Sequence, residues 1–162
     1  MSSFRFYEFY NINKLQDSES YGTWKEAADH LLELFHKLFD LQKEEQCKRT
    51  HEIIAFVQQY IEGHLSEDLS LTSLSEKTYL NSSYLSRLYH QTTGHKLSSF
   101  IENARIKRAK ELLENPYEKI YEIARKVGYD TAASFTRLFK KAEGMSPQEY
   151  RDTFHSAKRH ES

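Results

Sequence analysis

An internal repeat restricts the fold of this chain more than any other feature. Shifted by fifty positions, Arg87-Leu88-Tyr89 falls on Arg137-Leu138-Phe139, Leu85 on Phe135, Gly94 on Gly144 and Phe100 on Tyr150. Upstream the offset is forty-nine, placing Glu76-Lys77 on Arg125-Lys126. The second copy has therefore gained one residue in its turn. Any fold must build one helical unit twice, each time with an arginine on a polar face.

Local signals describe that unit. Leu71–Lys77 reads as a short helix that Ser70 can cap, and Asn81 caps a second helix over Ser82–Thr93. Leu85, Leu88 and Tyr89 then point inward, and Gly94 ends the helix. Apolar residues at Phe100, Ile101, Ala104, Ala109, Leu112 and Leu113 predict a long helix over Leu97–Glu114. Asn115-Pro116 stops it, because proline cannot continue the ladder and restricts the residue before it. The second unit spans Lys119–Ala142 with Gly128 in its turn, and Ser146-Pro147 opens a last helix. A short helix, a tight turn and a longer helix with an exposed polar face form the helix-turn-helix plan. One such pattern is weak evidence in a helical protein; two copies joined by a helix are much stronger.

The residues ahead of the repeat say less. Phe4 to Leu15 is aromatic on both parities and reads as a short strand or the remnant of a larger domain. Trp24–Gln46 predicts a helix, with Trp24, Ala27, Ala28, Leu31, Leu34, Phe35, Leu38 and Leu41 along one face. Trp24, Leu31 and Leu38 also keep a seven-residue beat. Two readings stay open: the helix packs on its own domain, or it serves dimerisation or signalling. Gln42–Arg49 reads as a polar linker or helix junction, and Thr50 as the cap of a helix whose stripe is Ile53, Phe56, Val57, Tyr60 and Ile61 and which Gly63 ends. The resulting division is an extension over 1–49, a core domain over 50–153 and a frayed tail over 154–162. The fold class is all-α: two helix-turn-helix subdomains (about 70–93 and 119–142) joined by a bridging helix (97–114), behind an N-terminal helical segment.

Charge becomes informative through its distribution. The 23 basic and 24 acidic residues nearly cancel, which looks poor for a nucleic-acid binder. Between Lys119 and Ala142, however, six basic residues face only Glu122 and Asp130, and between Asn81 and Lys96 there is no acid at all. A basic strip on a neutral body suits phosphate contact. The lone Cys47 excludes an intramolecular disulfide and fits a reducing compartment. Nothing resembles a signal peptide, and no apolar run approaches the roughly 18 residues of a membrane helix. The expectation is a soluble, cytoplasmic protein without a membrane partner.

These motifs resemble the DNA-binding domain of the AraC/XylS family of bacterial transcription regulators. The resemblance covers about Glu52 to Arg151 and is carried by Ser83-Tyr84-Leu85-Ser86-Arg87-Leu88-Tyr89 and by Arg105-Ile106 with Ala109 and Leu112-Leu113. In the second unit it rests on Ile123-Ala124, Val127-Gly128-Tyr129, Phe135 to Lys140, and Gly144-Met145-Ser146-Pro147 with Tyr150-Arg151. It implies two recognition helices on one side of a DNA duplex, a regulator leaning towards activation, and RNA polymerase as a second partner. Three departures lie in the first unit: Tyr79 where the family often has glycine, Ser75 where a small alanine commonly packs, and Ser82 where proline often opens the helix. The first 49 residues resemble the helical run-up of longer regulators. The chain is then either the end of a larger protein or a small monomeric regulator, with a dimer through the N-terminal helix as the other oligomeric possibility.

Helical spacing places Ser83, Ser86, Arg87 and His90 on one face, opposite Leu85 and Leu88. Their equivalents are Ala133, Thr136, Arg137 and Lys140, with Ser134 beside them. Arginine reads guanine O6 and N7 in a bidentate fashion, which typically contributes about 1–3 kcal/mol of discrimination. Serine and threonine hydroxyls tolerate several bases, and the Ala133 methyl suits a thymine methyl. Lys96, Lys140 and Lys141, with Asn81 and Thr131, read as phosphate contacts that position without reading sequence. The competing reading of Arg87 and Arg137 is a structural salt bridge, to Asp130 or Glu122. Arg105, in the bridging helix, is expected in a structural ion pair.

Chemistry of other kinds is not expected. The eight histidines include the close pairs His30 and His36, His90 and His95, and His155 and His160, but the single Cys47 has no thiol partner to complete a zinc site, so no metal is expected. No glycine-rich phosphate loop, nucleophile elbow or paired-carboxylate motif appears, so neither a cofactor nor an enzyme is implied. The alternative is a protein-interaction module of anti-activator type, using the same helices without reading bases.

Overall fold

The computed structural model describes residues 23–160 and, within its last helix, side chains as far as Ser156. The chain divides into two compact units, Met1–Lys48 and Arg49–Ser162. The described residues hold seven helices: α1 (Trp24–Gly63), α2 (Leu71–Thr78), α3 (Ser82–Thr93), α4 (Leu97–Leu113), α5 (Ile120–Lys126), α6 (Ala132–Glu143) and α7 (Pro147–His160). The aromatic segment Phe4–Leu15 lies outside the described residues.

Two boundaries differ from expectation. Gln42–Arg49 is no linker and Thr50 caps nothing, because α1 runs unbroken through both. Gln, Lys and Glu are good helix formers, so a polar stretch can continue a helix without an apolar stripe to announce it. Residues after Thr153 were expected to fray, yet α7 continues to His160.

In the first unit, the apolar face of α1 is only partly covered: Ala27, Ala28, Leu34 and Leu38 are half-buried. Trp24 is 84% and Phe39 67% exposed, and Leu31, Leu32, Phe35 and Leu41 are exposed as well.

The second unit is built around two hydrophobic clusters that share no residue. The first joins Ile54, Val57 and Ile61 of α1 to Leu65, Leu69, Leu74, Leu85, Leu88, Tyr89 and Leu97. Here the buried stripe of α1 includes Ile54, while Phe56, expected inside, is exposed. The second cluster joins Ile106, Ala109 and Leu113 to Ile123, Ala124, Val127, Phe135 and Phe139. Fully burying residues such as Phe135 and Phe139 contributes about 1.5–3 kcal/mol each. Helix α4 serves both clusters. Leu97, Phe100, Ile101 and Ala104 pack on the first, and Ile106, Ala109, Leu112 and Leu113 on the second.

The sequence repeat is also a repeat in space. Tyr89 and Phe100 bring their ring centroids to 6.0 Å, and the equivalent pair Phe139 and Tyr150 to 5.6 Å. Helices α3 and α6 both end at a left-handed glycine, Gly94 (φ 75°) and Gly144 (φ 78°). The turns match too: Tyr79 adopts φ 55° where the second unit has Gly128 at φ 82°.

Candidate nucleic-acid interface

Helices α3 and α6 are each positioned by a cap and a buried side. Asn81 Oδ1 accepts from the amides of Ser83 (2.9 Å) and Tyr84 (3.4 Å), starting α3. Thr131 Oγ1 accepts from Ser134 N at 3.2 Å and starts α6. With Leu85, Leu88 and Tyr89 of α3 and Phe135 and Phe139 of α6 buried, the opposite faces must point outward.

On α3 those outward residues are Ser83, Ser86, Arg87 and His90, all exposed. Ser86, Arg87 and His90 share a groove of about 610 Å³ with Lys96 and Ser98 at the start of α4. On α6, Ala133, Arg137, Lys140 and Lys141 are exposed, and Ser134 and Thr136 half-buried. Among the described residues neither Arg87 nor Arg137 forms an ion pair, so the salt bridges to Asp130 or Glu122 are absent. The ion pairs found lie elsewhere: Arg108–Glu111, Lys110–Glu143 and Lys126–Glu118.

Two polar groups are already engaged. The Thr131 hydroxyl donates to Ser134 Oγ at 3.0 Å, so its single proton is spent within the cap. Asn81, an exposed residue, uses its carbonyl oxygen as a cap, which leaves its amide NH₂ able to donate to another acceptor.

Arg105 departs from expectation in its partner. Its Nη2 donates to the Glu67 carbonyl oxygen at 3.3 Å, and its guanidinium lies 5.3 Å from the Tyr129 ring centroid. The contact is structural, but a backbone carbonyl and a ring replace the carboxylate. Nearby, Asp68 is held below its usual carboxyl range, first by the Ser70 amide, then by the Ser70 hydroxyl, with Arg105 adding a smaller effect. Burial pushes the Tyr129 phenol up, against a lowering by Arg105.

Sequence reasoning did not single out Gln91 or Ser98, which line the α3 groove beside Arg87. Gln91 follows His90 directly, so it could have been found by extending the polar face one residue.

Comparison with known proteins settles the family. The helix-turn-helix domain family matches residues 74–153. The C-terminal domain of AraT, a response regulator from Geobacillus stearothermophilus, is 41% identical and superimposes with a TM-score of 0.60, over 62% of this chain and 84% of that one. The chain belongs to the AraC/XylS family. The arabinose operon regulatory protein of Escherichia coli is 38% identical over 94 residues, 57% of this chain and 32% of that protein. YobQ of Bacillus subtilis, an uncharacterised helix-turn-helix regulator, is 30% identical over 148 residues. That alignment takes in 91% of this chain and 60% of YobQ. The chain thus spans only part of these curated relatives.

Membership in the AraC/XylS family makes this a helix-turn-helix DNA-binding domain of transcription regulators, not an enzyme. Among the described residues no helix is long and apolar enough to cross a membrane. The same residues contain no group of three or more His, Cys, Asp or Glu placed to hold a metal ion.

Proposed function

We propose that residues 50–153 read double-stranded DNA by inserting α3 and α6 into successive major-groove segments, about one helical turn (~34 Å) apart. The observation that carries this reading is the pair Arg87 and Arg137. They are equivalent in the repeat and exposed, and neither has an ion-pair partner among the described residues. An arginine free of structural duty and displayed on a recognition helix is available to a guanine edge. Ser83, Ser86, His90, Ala133, Ser134, Thr136 and Lys140 complete the reading faces. Lys96, Lys141 and the Asn81 amide contact phosphate, while Thr131 acts as a cap.

Regulation by activation, with RNA polymerase as partner, accompanies this reading on family resemblance. A promoter fusion that gains expression when the chain is supplied supports it, and one that loses expression reverses the sign.

The direct test is duplex affinity against salt concentration. Counterion release makes the logarithm of the affinity fall linearly with the logarithm of salt, by about 0.9 per phosphate neutralised. A steep fall is expected, and it becomes shallower by about one phosphate in Lys141→Ala. Weak, salt-insensitive duplex binding would turn the reading towards a protein-interaction module.

A further inference from the structure

The two helix-turn-helix subdomains have separate cores, and what joins them decides how far apart their recognition helices stand. Helix α4 is the covalent bridge, and Arg105 sits at its point of division. Ala104 packs on the first cluster and Ile106 on the second. Around Arg105 runs a groove of about 590 Å³ whose lining includes Glu67, Asp68, Arg125 and Asp130. Most of the residues that line this groove are polar or charged.

Arg105 reaches both subdomains. On one side its Nη2 holds the Glu67 carbonyl in the loop that leads into α2. The neighbouring Asp68 carboxylate accepts from Ser70 N and Ser70 Oγ, both at 2.9 Å. Ser70 Oγ in turn accepts from Ser73 N at 3.2 Å and caps α2. On the other side the guanidinium lies over the Tyr129 ring, whose centroid is 5.7 Å from that of Phe135 in α6. Gly128 completes the seat. A Cβ there would stand 2.6 Å from Arg105 Nη2 and collide with the Leu65 carbonyl oxygen. The second turn is bare at the point where Arg105 and the first subdomain's loop converge on it.

Resting on the reading that both helices enter DNA, we propose that Arg105 is a positioning residue that fixes the spacing between the two half-sites. It clamps the α2 loop of the first subdomain to the turn of the second, so that neither rocks about α4. A planar guanidinium suits this place because its several N–H donors sit in a fixed fork, so that one can hold a carbonyl while the group lies over a ring, with a geometry that the single flexible point charge of an ammonium does not reproduce.

The experiment compares operators whose two half-sites are separated by the selected spacer or by one base pair more or less. One base pair shifts the second half-site by about 3.4 Å and about 35°. The wild type is expected to lose about tenfold or more in affinity on either altered spacer. Arg105→Ala and Arg105→Lys are expected to shrink that loss to about threefold or less, while binding each isolated half-site as the wild type does. Arg105→Lys keeps the charge, so it separates clamping from attraction to phosphate. An unchanged spacer penalty in both variants would show that α4 alone sets the distance, and overturns the proposal. A uniform loss at every spacing also overturns it, because Arg105 would then act through charge or stability. If the wild type selects no two-part operator, the underlying reading of dual insertion fails and the clamp falls with it.

Discussion

Ser82 Oγ donates to Ser75 Oγ at 3.0 Å, across the turn of the first helix-turn-helix. Ser75 is only 8% exposed, and its own hydroxyl donates to the Thr72 carbonyl at 2.7 Å. Two residues that depart from the family pattern therefore satisfy each other. In the second unit the equivalent of Ser75 is Ala124, fully buried with no polar atom to satisfy.

The pair predicts a coupling. Either Ser75→Ala or Ser82→Ala leaves a hydroxyl without its partner and is expected to destabilise by about 1 kcal/mol, because unmaking one side of a buried hydrogen bond costs more than removing both. The double variant Ser75→Ala/Ser82→Ala removes both hydroxyls and should recover most of that loss. Urea unfolding of the four proteins gives the cycle. Strict additivity would mean the two hydroxyls do not interact.

The two turns predict opposite effects of glycine chemistry. Tyr79 holds φ 55° and is 96% exposed, so its ring contributes little packing while its Cβ is strained. Tyr79→Gly is expected to stabilise by about 0.5–1 kcal/mol, the left-handed penalty less the entropy glycine adds to the unfolded chain. Gly128→Ala, by contrast, should destabilise by more than about 2 kcal/mol, since the methyl meets the Leu65 carbonyl as well as a positive φ. Thermal or urea unfolding reads both, and a Tyr79→Gly variant weaker than wild type would assign the ring a structural contact.

Helix α7 carries a pH dependence. Glu149 Oε2 accepts from Ser146 N at 2.7 Å while Ser146 Oγ accepts from Glu149 N at 3.3 Å, a reciprocal capping box. The Ser146 amide, then its hydroxyl, and to a lesser degree Lys140 hold the Glu149 carboxyl below its usual range. A depressed carboxyl contributes stability that is fully present above its unfolded pKa and is lost as pH falls through the folded value. The stability gap between wild type and Glu149→Gln should thus be widest above the ordinary glutamate range and close as pH falls through the lowered folded value. A gap that widens on acidification would contradict the assignment.

Much of this was legible in the sequence because caps and glycines act locally. Ser70, Asn81, Gly94, Gly144 and Pro147 mark helix ends by their own chemistry, and the repeat doubled every signal. The stripe of α1 was harder. In Ile53-Ile54-Ala55-Phe56-Val57 several apolar residues compete, and tertiary packing chose Ile54 over Phe56. Its continuity through Gln42–Arg49 was hidden because polar helix formers look like a linker. The Arg105 clamp was illegible for another reason: its acceptor is a backbone carbonyl, which carries no residue-type signal. The outward faces of α3 and α6 follow from helical period alone, but that Arg87 and Arg137 have no ion pair among the described residues required the fold.

The central claim, that both helices read bases, is tested most directly by selecting bound sites from a randomised duplex pool with wild type, Arg87→Ala and Arg137→Ala. Both variants should fold with wild-type stability within about 0.5 kcal/mol, since each removes an exposed side chain with no ion-pair partner among the described residues. The account predicts a two-part motif spaced by about one turn, with one part relaxed in Arg87→Ala and the other in Arg137→Ala. Enrichment of a single half, or variants that leave the motif unchanged, would contradict it.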